Sequence, residues 1–360
     1  MMNKDNTISI EGAVCPLPLP HNDQIVMGHG SGGRMTQELI QRIFMPHLNS
    51  TALAQGNDFG EVLLPDQAGL HGRLALSTDS HIVSPLFFPG GDIGRLAVCG
   101  TVNDVAMSGA APLYLTAGFI LEEGLPVETL ERVMRSMEDC IREAGVQMIA
   151  GDTKVVERGK ADGLFINTAG IGWVSENRQI GGAQARPGDV VLISGTLGDH
   201  GIAVLAARGE LGFETDVQSD VAPLNHLISA VLEAAPHTHV LRDPTRGGLA
   251  TTLNEIATQS QAAILLEEKS IPVQPAVRAA CEMLGFDPLY VANEGKVIVI
   301  VPAEEAEAAL EAMHGSRYGK MACRIGTVQA TPAKRVLIRT LIGGMRVLDV
   351  LAGEMLPRIC

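Results

Sequence analysis

The chain has 360 residues, of which 46% are hydrophobic, and 27 Lys and Arg stand against 41 Asp and Glu for a formal net charge of -14. The hydrophobic share excludes wholesale disorder and provides cores for about two domains of roughly 100–200 residues each. An acidic chain with 1 Trp, 3 Tyr and 8 Phe lacks both the basic footprint and the stacking rings of a general nucleic-acid binder, which excludes nucleic acid as the main partner.

Nothing approaches the roughly 18 consecutive apolar residues of a membrane span, and MMNKDNTISIEG lacks the apolar stretch of a signal peptide. The expectation is a cytoplasmic protein with no membrane partner. The cysteines at 15, 99, 140, 281, 323 and 360 form no CxxC pair and no zinc-site spacing, so reduced thiols are expected.

Residues 1–27 read as a leader whose CPLPLP run fixes an extended path. From residue 28 strands alternate with helices. GHGSGGR precedes a helix with Met35, Leu39, Ile43 and Phe44 on one face, LALSTDS ends a strand, and GDIGRLAVCGTVNDVAMSG is a helix capped near Asp92. VETLERVMRSMEDCIREAG carries Leu130, Val133, Met134, Met137 and Ile141 at helical spacing, and VQMIAGDTKVV and LFINTAGIGWV follow as strands.

The Pro-Gly turn in ARPGDV marks a boundary. Beyond it come the strand VVLISGT, the loop GDHG, the helix IAVLAARGEL, the loop RDPTRGG, a further helix, strands near VIVIV, and a last strand with a tail. Two α/β units are expected, over 28–180 and 181–335, with a strand and tail over 336–360.

Four kinds of residue carry possible chemistry, each beside a plainer reading. Ser31, Gly32 and Gly33 let backbone N–H groups approach an anion at a helix start, or form only a flexible turn; neither a Walker loop nor a dinucleotide fingerprint is present. Asp79, Asp104, Asp152 and Asp243 sit at strand ends or helix starts, where hard carboxylate oxygens suit magnesium beside phosphates. Capping of helix N–H groups is the plainer reading, strongest for Asp92 and Asp243.

Lys154 and Glu294, each next to a predicted buried strand, could form a proton-transfer couple or be surface charges. His200 could contact phosphate or cap a turn. Cys360, after the mobile glycines Gly343, Gly344 and Gly353, could be a travelling nucleophile and acyl carrier, or an inert last residue.

Taken together, HGSGG, STDS with SPLFFPGG, NDVAMSG, GDTKVV, FINTAGIG, SGTLGDHG, RDPTRGG, NEGK and the terminal PRIC resemble, in order from about residue 28 to residue 360, the HypE family of hydrogenase maturation proteins. That family is similar to the aminoimidazole ribonucleotide synthetase (PurM-like) superfamily. The resemblance implies an α/β (α+β), two-domain ATP-binding fold, N-terminal domains that build a joint β-barrel in a homodimer, and a mobile C-terminal tail. The leader departs from the family's compact start, so nothing is carried onto Cys15.

The chemistry implied is carbamoylation of Cys360 by a HypF-type carbamoyltransferase, then ATP-dependent dehydration of the thiocarboxamide to a thiocyanate. The cyano group would pass to iron held by a HypC–HypD complex, as a cyanide ligand of NiFe hydrogenase. By resemblance Glu294 is the base and Lys154 orients the group or passes the proton. Asp79, Asp104 and Asp152 hold Mg2+, and Ser31, Gly32, Gly33, Thr78, His200 and Asp243 line the ATP. Selenophosphate synthetases, thiamine monophosphate kinases and purine-pathway synthetases share such aspartate-rich sites, but the first would need a reactive Cys close before the glycine loop with a Lys nearby, which Cys15 in its proline-rich leader does not provide, and the last gives no reason for a terminal Cys. A scaffold presenting its tail to partners, without turnover, is the alternative from another class.

Overall fold

A computed structural model describes residues 33–45, 53–63, 72–209, 215–351, 356 and 358–360. Ser31, Gly32, most of the glycine loop and the leader with Cys15 lie outside the described residues.

The first sheet has five strands in the spatial order Gly60–Leu63, Gly72–His81, Leu164–Ser175, Ala111–Glu122 and Gln147–Val156. Only the last pair is parallel, joined by the helix Val127–Ala144 as a crossover. Alternation along Gly72–His81 puts Ala75, Ser77, Asp79 and His81 on one face, toward the helix Ile93–Met107, and Leu76, Thr78 and Ser80 on the other. The close approach of helix and sheet depends on glycine: a Cβ on Gly170 would lie 2.7 Å from Thr101 Cγ2, and one on Gly172 2.5 Å from Val105 Cγ1. Asp92 caps the helix, its Oδ1 accepting from the N–H groups of Gly94 and Arg95.

The second sheet orders seven strands as Met345–Leu348, Arg335–Arg339, Ala263–Glu267, Cys323–Gln329, Val190–Ile193, Ile298–Val301 and Val240–Arg242. The fold is mixed α and β, and most neighbours in both sheets are antiparallel. The strand Ala111–Glu122 has no counterpart in the sequence reading. Its interrupted pattern reflects a register shift at Pro112 and Tyr114 and an outer face rich in exposed apolar residues.

Three local readings change. GDHG is not a loop throughout: Gly198 adopts a left-handed φ of 82° and opens the helix Asp199–Ala207, so His200 lies in its first turn. The C-terminal segment holds two strands, Arg335–Arg339 and Met345–Leu348, paired antiparallel across a Gly343–Gly344 turn. In the first helix Met35 is buried but Ile43 is exposed, and the backbone loosens to a π-helical turn over Ile40–Phe44, so the apolar face does not persist.

The last residues are part of the core. Leu356, Ile359 and Cys360 pack in one apolar cluster with Val83, Ile202, Val277 and Val291. This brings the end of the chain beside the end of the Asp79 strand.

Candidate functional site

Residues from four distant segments converge between the inner face of the first sheet and the loops of the second. Asp79 comes from the Gly72–His81 strand, Asp104 from the following helix, Asp243 from the turn after Val240–Arg242, and Glu294 from the NEGK loop. Ser77 Oγ donates to Asp104 Oδ2 at 2.7 Å.

Burial and repulsion by neighbouring carboxylates raise the pKa of Asp104, Asp243 and Glu294. Removal from water, then the charges of Asp243 and Asp79, hold the Asp104 carboxyl well above its usual range. Burial, followed by the Asp58 charge, raises Asp243 to about 8. Glu294, 5% exposed, is pushed well above its ordinary value by burial and then by Asp79, Asp220 and Asp243, with Arg246 opposing. Its Oε1 is buried without a hydrogen-bond partner. The capping role read for Asp92 holds, whereas Asp243 is a buried member of the acid cluster.

Several supporting residues escape the sequence reading. Asp220 accepts from the N–H groups of Glu294 and Gly295, both at 3.1 Å, and from Lys296 Nζ at 2.9 Å, which fixes the NEGK loop. Arg242 pairs with Asp58 at 2.5 Å and with Glu255 at 2.6 Å, and Gln37, in the helix opened by Gly33, reaches Glu255. His81 is buried with its Nε2 3.6 Å from Asp79 Oδ2, and burial lowers its pKa. Only His81 had a local signal, standing directly after STDS; Asp220, Asp58 and Gln37 find their partners more than 70 residues away, and Arg242 joins Asp58 to Glu255, 13 residues on.

The tail docks through its backbone. Cys360 O accepts from Ile82 N at 3.1 Å, Arg358 O from Ser84 N at 3.3 Å, and Ile359 O bonds His200 Nε2 at 2.7 Å. Cys360 itself is 8% exposed, one residue beyond His81 along the paired strand, and in no disulfide. Both ring nitrogens of His200 are engaged within the chain, Nδ1 with Ser219 Oγ at 2.8 Å, so the ring faces the tail.

Asp152 and Lys154 do not join this cluster within one chain. They pair with each other at 2.7 Å on the exposed edge strand Gln147–Val156, and the Lys154 hydrogen bond keeps the Asp152 carboxyl below its usual range. Register places Asp152 beside Gly118, Gly118 beside Asn167 and Asn167 beside Ser80. Asp152 is therefore three strand spacings, about 14 Å, from Ser80 and on the outer face, opposite Asp79. Thr78 shares that outer face, donating to Thr168 O and accepting from Asn167 Nδ2.

The carboxyl oxygens of the buried Asp243, the half-buried Asp104 and the partly exposed Asp79 are hard ligands of the kind that suits a divalent cation, and Asp104 feels the charge of both others. Among the described residues no three His, Cys, Asp or Glu come together closely enough to hold a metal ion by themselves.

Two adjoining family descriptions account for most of the chain: AIR synthase related protein, N-terminal domain, matches residues 64–174, and AIR synthase related protein, C-terminal domain, matches residues 186–339. The chain is thus a two-domain AIR synthase related protein. The carbamoyl dehydratase HypE of Cupriavidus necator is 55% identical over 337 residues, covering 94% of this chain and 95% of that one. A crystal structure of the hydrogenase maturation protein HypE in complex with ATP is 51% identical, with a TM-score of 0.77 over 94% of this chain and all of that one. A HypE–HypF complex contains a chain 50% identical, with a TM-score of 0.81 over 87% of this chain and 99% of that one. Within the AIR synthase related proteins, the chain belongs to the HypE family.

Proposed function

We propose that this protein is an ATP-dependent carbamoyl dehydratase that converts a thiocarboxamide on its own Cys360 to a thiocyanate. The observation that carries the reading is the docked tail, which places Cys360 beside the strand bearing Asp79, with Glu294 within electrostatic reach of that Asp.

An amide oxygen is a poor leaving group, so it takes the γ-phosphoryl group of ATP and departs as phosphate. Two protons leave the nitrogen as the C≡N bond forms; the products are thiocyanate, ADP, phosphate and one net proton. Glu294 accepts a proton from nitrogen, and its raised pKa makes it a stronger base once ionised. Asp79, Asp104 and Asp243 would hold magnesium, which would supply counter-charge to the phosphates and ease the repulsion that favours protonated Glu294. The end of the glycine loop, with Ser31, Gly32 and Gly33, would line the nucleotide.

Asp152 and Lys154 reach such a site only from a second copy. The outer face of the first sheet supports that arrangement: Leu76, Ile171 and Tyr114 share one row across it, and Leu76, Tyr114 and Ile120 are each more than a third exposed. A homodimer closed over this face would cover the patch and bring Thr78, Asp152 and Lys154 to the interface. The ATP complex and the HypF complex of the relatives support ATP as co-substrate and a HypF-type donor as partner. A HypC–HypD acceptor in hydrogenase maturation follows from the same reading. No helix among the described residues is long and apolar enough to cross a membrane, and a cytoplasmic location accords with the reduced thiols.

The test is chain mass during single turnover. Carbamoylated protein given ATP and magnesium should lose one water, and Glu294→Gln should accept the carbamoyl group yet stall. Rapid thiocyanate formation by that variant would remove Glu294 from the mechanism.

A further inference from the structure

The geometry points to His200 and Arg208 as a latch that holds the C-terminal tail in its docked position, making both of them positioning residues for the reaction at Cys360. The inference rests on the dehydratase reading and adds residues that control where the reacting sulfur spends its time.

Both residues belong to one helical element. His200 lies in the first turn of the helix Asp199–Ala207, and Arg208 is its C-cap. Together they grip two successive tail carbonyls: Arg208 Nη2 donates to Arg358 O at 2.8 Å, and His200 Nε2 bonds Ile359 O at 2.7 Å. The third carbonyl, of Cys360, accepts from Ile82 N. Arg208 Nε also donates to Ser84 O at 2.9 Å, so one guanidinium joins the tail to the segment it runs beside.

A carbonyl oxygen can only accept, so the Ile359 contact requires the proton on His200 Nε2. In the neutral ring Nδ1 is then an acceptor, and Ser219 Oγ donates to it. Ser219 Oγ in turn accepts from Val221 N at 3.1 Å, and Phe88 packs edge-on with its ring 5.4 Å from that of His200. The imidazole is thus held in one tautomer aimed at the tail. Burial lowers the His200 pKa and keeps the ring neutral.

Each of these contacts reads tail backbone and none reads the thiol. The latch therefore accepts Cys360 as thiol, thiocarboxamide or thiocyanate alike, as a tail that must dock after loading requires. A Cβ on Gly201 would lie 2.4 Å from Val291 Cγ1 and 3.2 Å from Leu356 Cδ1, so the glycine lets the helix pack closely against Val291 and, less tightly, against the tail.

The experiment measures alkylation of Cys360 by iodoacetamide in the full chain, located by peptide mass, beside single-turnover dehydration of the carbamoylated chain. His200→Ala should raise the alkylation rate about two- to tenfold, the effect of one lost hydrogen bond, and slow dehydration without slowing carbamoyl acceptance. His200→Gln, which can donate from a similar position, should restore both toward wild type; Arg208→Ala, on a separate contact, should also raise alkylation. Unchanged alkylation in His200→Ala, or in Arg208→Ala should the first fail to fold, would overturn the latch, as would a Gln variant no better than Ala. If the dehydratase reading alone is wrong, wild type will lose no water while the alkylation differences persist.

Discussion

At the scale of single residues, the site holds three acids, Asp104, Asp243 and Glu294, whose ionisation burial and neighbouring carboxylates oppose. Asp243, with a pKa near 8, is mostly protonated in the metal-free folded chain at neutral pH and ionised in the unfolded one. The folded state therefore binds the extra proton, and its stability should fall as pH rises from about 4 through 8. Asp243→Asn should flatten that slope and raise the melting temperature at pH 8, by about 2–4 °C for each kcal/mol recovered in domains of roughly 150–250 residues. Magnesium with nucleotide should have the same flattening effect on wild type. A melting temperature of wild type that climbs steadily across this window would contradict the assignment.

Glu294 yields a kinetic counterpart. As a base with a raised pKa, it should make dehydration accelerate with pH through a midpoint well above 4.5, and Glu294→Gln should lose about 10²–10⁴-fold and the pH dependence with it. Asp79, Asp104 and Asp243 stood out as acids beside loops or helix starts, with capping the plainer reading for Asp243; Glu294 and Cys360 were singled out only by the family resemblance, because alone they read as a surface charge and an inert last residue. His200 was legible as a candidate but not in its role: its partners, Ser219 and Ile359, are 19 and 159 residues away. Asp220, Asp58 and Arg242 had no local mark at all.

At the scale of elements, the helix Ile93–Met107 carries Asp104 against the sheet and needs both its cap and its small contact residues. Asp92→Ala should cost about 0.5–2 kcal/mol, measurable by denaturant unfolding, with the site chemistry intact. Gly100→Ala should do the reverse. A Cβ there would meet His81 Cε1 at 2.9 Å and Asp79 Oδ2 at 3.1 Å, so dehydration should suffer more than stability. The helix and its cap were readable from GDIGRLAVCG because Asp before an apolar run is a local signal. Which face of a strand Asp79 or Asp152 occupies was not readable, because that depends on register across four strands. The edge strand shows the consequence: Asp152 and Lys154 stand in a row with the site, yet on the other side of the sheet.

At the scale of the whole molecule, the two-sheet plan followed from the alternation of strands and helices, but the antiparallel pairings did not, because sequence order does not specify which strands become neighbours. The exposed row of Leu76, Ile171 and Tyr114 gives the homodimer a direct test. Tyr114→Glu should convert a dimer to a monomer in sedimentation analysis and remove dehydration. Complementation is sharper. If Lys154 serves the partner copy's tail, mixed dimers of Lys154→Ala and Cys360→Ala chains should regain activity that neither variant has alone; a cis arrangement would give none.

The central claim is that Cys360 carries the group that is dehydrated. The most direct test is the intact mass of the chain, and of Cys360→Ala, after incubation with a HypF-type carbamoyltransferase, carbamoyl phosphate, ATP and magnesium. The expected result is gain of one carbamoyl group followed by ATP-dependent loss of one water, both missing in the variant. An active donor that leaves no Cys360-dependent adduct would contradict it.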